Sequence, residues 1–214
     1  MMPNVKLKNN VVILLLVAMM TIISYFYLDT GIALIVYRLI NSSNFLIRAT
    51  SNIPDLLLQI VIAITVSCWA GYFFLRHRGM HNRHTRFLQA CGTAVPIAFV
   101  AKTIFQYLFG RSDPYAWIFD HELPRFYWFR ADAGYGCFPS GHMTVFTALL
   151  MTLWHFYPRY HSIFLGLLFL LAVALIGTDY HFLSDVIAGA YLGAVIASII
   201  DNGVFLQTAR DERH

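Results

Sequence analysis

Apolar residues run through this chain in long blocks separated by short polar segments. A helix needs roughly 20 apolar residues to cross the hydrocarbon core of a bilayer. By that measure spans are expected at about 11–28, 56–75, 87–109, 140–157, 163–177 and 183–206. The first run is long for a signal peptide and ends in Ser24-Tyr25-Phe26-Tyr27, with no small-residue cleavage site, so it reads as a retained span. Residues 29–54 are mixed: Ile32, Ile35, Val36, Leu39 and Ile40 recur at helical spacing, with Arg38 and Arg48 among apolar neighbours. That pattern predicts an interfacial or short re-entrant helix. In the sixth run Gly189 and Gly193, with Ala188, Ala190 and Ala194, would let helices approach closely in lipid. There is no internal repeat and no low-complexity tract. The expected architecture is an all-α, polytopic membrane helical bundle of about six transmembrane helices. It forms one membrane domain over 1–214, with an interfacial helix between the first two spans and a long polar loop at 110–138.

Composition supports this class. The chain is 58% hydrophobic and 12% charged, about half the charge density of soluble domains. The net charge is only +4 and the basic residues sit in short connections, so nucleic acid is excluded as a partner. Three cysteines, Cys68, Cys91 and Cys137, show no metal-ligand spacing, and an odd count argues against a disulfide framework. All three read as packing residues.

Charge placement orients the bundle. Arg76, Arg78, Arg83 and Arg86 lie in one connection, Lys6 and Lys8 precede the first span, and Arg159 follows the fourth. With six spans these regions and the C-terminus share a side, and the positive-inside rule makes it cytoplasmic. The basic connection reads as this topology signal, with contact to anionic lipid as the alternative. The opposite, outer side receives the loop 110–138 and the turn Thr178-Asp179-Tyr180-His181.

Both outer segments carry candidate chemistry. Cys137-Phe138-Pro139-Ser140-Gly141-His142 stands where a loop becomes a helix. Helix starts present unpaired N–H groups and a partial positive charge, which suit phosphate. Pro139 and Ser140 are typical of a helix start, and Gly141 admits close backbone approach. His142 would project from the first turn. His181 and Asp185 are four apart and share a helical face. A carboxylate bonded to one imidazole nitrogen raises the basicity of the other, which makes histidine a nucleophile or base.

Pro139-Ser140-Gly141-His142 followed by His181-x-x-x-Asp185 resembles the type 2 phosphatidic acid phosphatase family. The strings Tyr107-Leu108-Phe109-Gly110-Arg111 and His181-Phe182-Leu183-Ser184-Asp185-Val186-Ile187-Ala188-Gly189 fit the same family, and the resemblance covers roughly 55–205. It implies a lipid phosphatase that forms a phosphohistidine. His181 would attack phosphorus, Asp185 would orient it, and His142 would protonate the leaving alkoxide. Ser140 and the N–H of Gly141 would hold phosphoryl oxygens. The resemblance implies no cofactor and no metal.

The chain departs from the family at three cation positions, where Gln106, Asp113 and Leu175 stand in place of lysine, arginine and arginine. Lys102, one turn before Gln106, and Arg111, at the mouth of the third span, are the candidate substitutes for phosphate binding. Arg125 and Arg130 are open either to phosphate contact or to a solvated surface. Asp113, Asp120, Glu122 and Asp132 either pair with those arginines or disfavour a multiply charged substrate. Trp117, Phe119, Phe126, Tyr127, Trp128 and Phe129 suit an interfacial belt, with a lid as the alternative.

The expected substrate is a phosphorylated lipid: phosphatidylglycerol phosphate, phosphatidic acid, undecaprenyl diphosphate or a lipid A phosphate. The expected place is a bacterial inner membrane with the site on the periplasmic face. Lipid-to-lipid phosphotransfer, or a degenerate lipid-binding member, are the alternatives.

Overall fold

The computed structural model describes residues 3–40, 53–119, 123–130 and 134–211. Arg48, Asp120, Glu122 and Asp132, weighed above, lie outside the described residues. Helices run as α1 (Pro3–Ile23), a π turn (Ser24–Leu28), α2 (Asp29–Ile40), α3 (Ile53–His77) and α4 (Arg83–Phe109). They continue as α5 (Pro114–Phe119), α6 (Gly141–Phe156), α7 (His161–Gly177) and α8 (Leu183–Asp211). No strand occurs among the described residues, and the protein is an all-α bundle.

Among the described residues, five stretches are long and apolar enough to cross a membrane: Asn10–Leu39, Leu56–His77, Arg83–Phe109, Pro158–Gly177 and Leu183–Val204. They fit an integral membrane protein. The first of them differs from expectation. Asp29–Ile40, expected as a separate interfacial helix, continues the first helix through the π turn, where the Asp29 N–H bonds to the Ser24 carbonyl. Asp29 looked like the end of an apolar run. Instead it turns inward with Ser24 and Ala33, all three buried, and its charge is met by a distant part of the chain.

At 16 residues α6 is short, about 24 Å at 1.5 Å per residue. It is nonetheless the centre of the bundle, packed against α4, α7 and α8. Leu168 and Leu175 are the buried residues of α7, whereas α6 buries most of its length. The cores between α3, α4, α6 and α8 use small and branched side chains such as Val95, Ala98, Val145, Ala148 and Ile196.

Two glycines of α8 set its distance from α6. A Cβ on Gly189 would lie 2.6 Å from the Ser140 carbonyl oxygen, and one on Gly193 would overlap the Thr144 carbonyl. No side chain fits there, so α8 runs directly along the α6 backbone. The register places His181 and Asp185 beside the start of α6. The far end of the same pair buries Asp201, which meets His155 Nδ1 at 3.0 Å and accepts from the Thr152 hydroxyl at 3.3 Å.

Candidate active site

The start of α6 is built by Ser140. Its backbone leaves helical geometry, and its hydroxyl accepts from the Met143 N–H at 3.4 Å. Its own N–H donates to the Asp185 carbonyl at 3.0 Å. The two motifs, distant in sequence, are therefore joined through backbone. The first turn of α6 supplies N–H groups that make no intrahelical bond and carries the positive end of the helix dipole.

A cation overlies that turn. A Cβ on Gly141 would lie 3.0 Å from Lys102 Cδ and 3.4 Å from Gln106 Nε2. Lys102 Nζ donates to Gln106 Oε1 at 3.1 Å, and Gln106 Nε2 donates to the Pro139 carbonyl at 3.2 Å. Gln106 thus ties Lys102 to the Pro139–Gly141 corner.

Asp185 is fully buried. Oδ2 accepts from the Phe182 N–H at 2.9 Å and from Cys137 Sγ at 3.0 Å. His181 Nδ1 lies 3.9 Å from the same oxygen, too far for a hydrogen bond. Cys137 fills the gap, with its sulfur 3.2 Å from Nδ1. A thiol that donates to the carboxylate turns its lone pairs to the imidazole, an arrangement that suits the tautomer with its proton on Nδ1. Burial, followed by the Asp185 carboxylate, pushes the Cys137 thiol well above its ordinary pKa, which keeps it a donor. The packing role expected of Cys137 is present, since it clusters with Ala33 and Phe182. The contact with both members of the histidine–carboxylate pair was not expected.

His142 and His181 converge on one side chain. Their rings meet the Tyr180 ring edge-on at 5.5 and 5.0 Å between centroids. Burial raises the Tyr180 phenol to about 12, so it stays neutral.

Arg111 is turned into the protein and fully buried. Nη1 donates to Asp185 Oδ1 at 2.5 Å and to Ser184 Oγ at 2.6 Å, and Nη2 donates to Asp29 Oδ2 at 2.7 Å. Ser184 in turn donates its hydroxyl at 2.5 Å and its N–H at 3.0 Å to Asp29. The rings of Phe182, Tyr25 and Phe126 close over the guanidinium at 4.4, 4.9 and 5.5 Å. Both terminal nitrogens of Arg111, a candidate for phosphate binding, are occupied by protein groups behind Asp185.

Residues 87–208, more than half of the chain, match the model of the PAP2 superfamily. The chain belongs to the PAP2 superfamily. No curated protein and no solved structure matches it. The PAP2 superfamily consists generally of phosphatases, and phosphorylated lipids are substrates of the family.

The three positions where the resemblance led us to expect cations have local duties. Asp113 accepts from the Ala116 N–H at 2.7 Å and starts α5. Leu175 is buried against the Met143 and Val186 cluster, and its carbonyl accepts the N–H groups of Tyr180 and His181. Gln106 has the bridging role described above.

Arg125 and Arg130 pair with the loop's own rings. Arg125 stands 4.9 Å over Tyr127, and Arg130 stands 3.6 Å over Tyr135. That loop contains α5 and an isolated bridge between Arg111 and Phe126.

Cys137, His181 and Asp185 bring three atoms of metal-ligating type within 4.8 Å of one another. The guanidinium of Arg111 at 2.5 Å from the carboxylate opposes a further cation there. The cluster has the form of a hydrogen-bonded relay.

Sequence reasoning missed Asp29, Ser184 and Gln106 as members of this site. Asp29 carried a usable signal, since an ionisable residue inside an apolar run calls for a partner. Ser184 lay within the recognised string. Nothing in the chain marks that Arg111 would meet Asp29, 82 residues away.

Proposed function

We propose that this PAP2 protein is a lipid phosphate or diphosphate phosphatase that acts at the outer membrane face through a phosphohistidine. The observation that carries the reading is the juxtaposition of His181, held through Cys137 against Asp185, with the helix start at Ser140 and its overlying Lys102.

In this reading the Nε2 lone pair of His181 attacks phosphorus. The P–O bond to the lipid breaks, and protonated His142 gives its proton to the departing oxygen. Ser140, the Gly141 N–H and Lys102 hold the phosphoryl oxygens and offset the charge that develops on them. Neutral His142 then takes a proton from water, whose oxygen attacks phosphorus. The P–N bond breaks, its electrons return to Nε2, and phosphate leaves. The Asp185 carboxylate offsets the positive charge of the imidazolium across Cys137, and Arg111 fixes Asp185 from behind. Arg125 and Arg130, stacked on the loop's rings, are held at the rim.

The outer-face reading is supported by α4, whose 27 residues, about 40 Å long, carry the basic Arg83 and Arg86 at one end and Lys102 and Gln106 toward the other. Phosphatidylglycerol phosphate, phosphatidic acid, undecaprenyl diphosphate and lipid A phosphates are the substrates to compare.

The test is phosphate release by purified protein across those lipids in detergent. His181→Ala abolishes release, and Lys102→Ala lowers it far more than Arg83→Ala at the opposite end. Undiminished turnover in His181→Ala sinks the nucleophile, and equal effects of the two cation variants sink the role given to Lys102.

A further inference from the structure

An apolar groove of about 440 Å³ opens between α1, α4 and α8, a volume within the range of small-molecule sites. Its polar lining is limited to Thr21 and Tyr191. One wall is the α1 stripe Leu14, Ala18 and Ile22, spaced four apart so that they share a face. These three are exposed. The facing wall carries Phe105 and Phe109 of α4, and the groove ends on Phe138 and Pro139. Pro139 is the residue whose carbonyl holds Gln106, and through it Lys102, over the start of α6. The groove and the anion-binding corner are therefore continuous at one residue.

This continuity decides what fits. An occupant with its phosphate at Lys102 and the α6 start has this hydrocarbon-compatible surface leading away from it. We propose that the groove holds the hydrocarbon chain of the lipid substrate, and that α1 selects that chain. The proposal rests on the phosphatase reading and adds to it. The PAP2 match begins at residue 87, so the chemistry lies in the family core while the selecting wall lies in a segment before it. Substrates with the same phosphate but different chains would then be told apart by residues outside that core.

The experiment compares a long-chain phosphatidic acid with p-nitrophenyl phosphate, which has the ester but no chain. Ala18→Trp fills the groove, Thr21→Trp blocks it independently nearer the site, and Leu16→Trp changes α1 outside the lining. Filling the groove lowers kcat/KM for the long-chain lipid by about tenfold or more, mainly through KM, because apolar burial of the chain is lost. Turnover of p-nitrophenyl phosphate stays at the wild-type level, and Leu16→Trp changes neither.

Unchanged hydrolysis of the long-chain lipid in both groove variants overturns the proposal. So does an equal loss on both substrates in both variants. Failure of the phosphatase reading shows separately, as no His181-dependent release from either substrate by the wild-type protein. In that case binding of fluorescent long-chain phosphatidic acid decides: weaker binding to Ala18→Trp than to wild type supports the groove, and equal binding overturns it.

Discussion

Arg111→Ala should unfold this protein more readily rather than merely weaken its grip on phosphate. Removing the guanidinium leaves Asp29 and Asp185, both with fully buried side chains, without the cation that neutralises them. Breaking a buried pair by deleting one partner costs about 3–5 kcal/mol, because the remaining charge is stranded. Here two carboxylates are stranded, and the Ser184 hydroxyl loses a donor. For a chain of this size such a loss corresponds to a drop of about 6–20 °C in melting temperature. The assay is thermal unfolding of the detergent-purified protein, followed by residual activity well below the transition. Arg111→Lys should fall in between, since one ammonium cannot span Asp29 and Asp185 as the planar fork does. Adding Asp29→Asn to Arg111→Ala should restore part of the loss by removing one stranded charge. An Arg111→Ala protein that melts like the wild type but shows a several-fold higher KM would refute the reasoning. It would mean that the guanidinium leaves its carboxylates to serve the substrate.

Cys137→Ala opens the gap between His181 Nδ1 and Asp185 and should lower kcat by about tenfold to a hundredfold, the scale seen when a supporting hydrogen bond is lost. Cys137→Ser, whose hydroxyl can bridge the same two groups, should recover much of that rate; equal loss in both would refute the relay. Gly189→Ala places a Cβ against the Ser140 carbonyl and should cost about 1–3 kcal/mol by overpacking, with loss of activity as the α6 start is displaced. Unchanged melting and turnover would show that the two helices separate freely. Asp179 is an acid that burial raises from 3.8 to about 7. Its folded form holds the proton more tightly than its unfolded form, so the penalty is absent below pH 3.8, grows between pH 3.8 and 7, and is complete above. Asp179→Asn should therefore gain melting temperature over wild type progressively across that window, and a constant difference would remove Asp179 as its source.

Much of this protein was legible along the chain. The membrane class, the helical bundle and the PAP2 resemblance follow from local information: apolar runs of bilayer length, and short motifs whose residues lie within a turn or two of each other. The expected runs 87–109 and 163–177 sit inside α4 and α7 because hydrophobic length acts on a helix without reference to its neighbours. Ser140 as a helix start was readable for the same reason, since a cap depends on the next three residues.

What lay beyond the sequence was every contact that joins distant segments. The charge on Asp29 read as the end of a span, and only its pairing with Arg111 makes it an interior residue of a continuous helix. Arg111 itself, free in sequence to reach a phosphate, is directed inward by two carboxylates from α2 and α8. Cys137 looked like one more small buried side chain until the fold put it between His181 and Asp185. Hydrophobic burial is set by composition and period, which a sequence displays. The placing of a buried charge depends on which opposite charge the packing brings within hydrogen-bond reach, and the tertiary structure alone decides that.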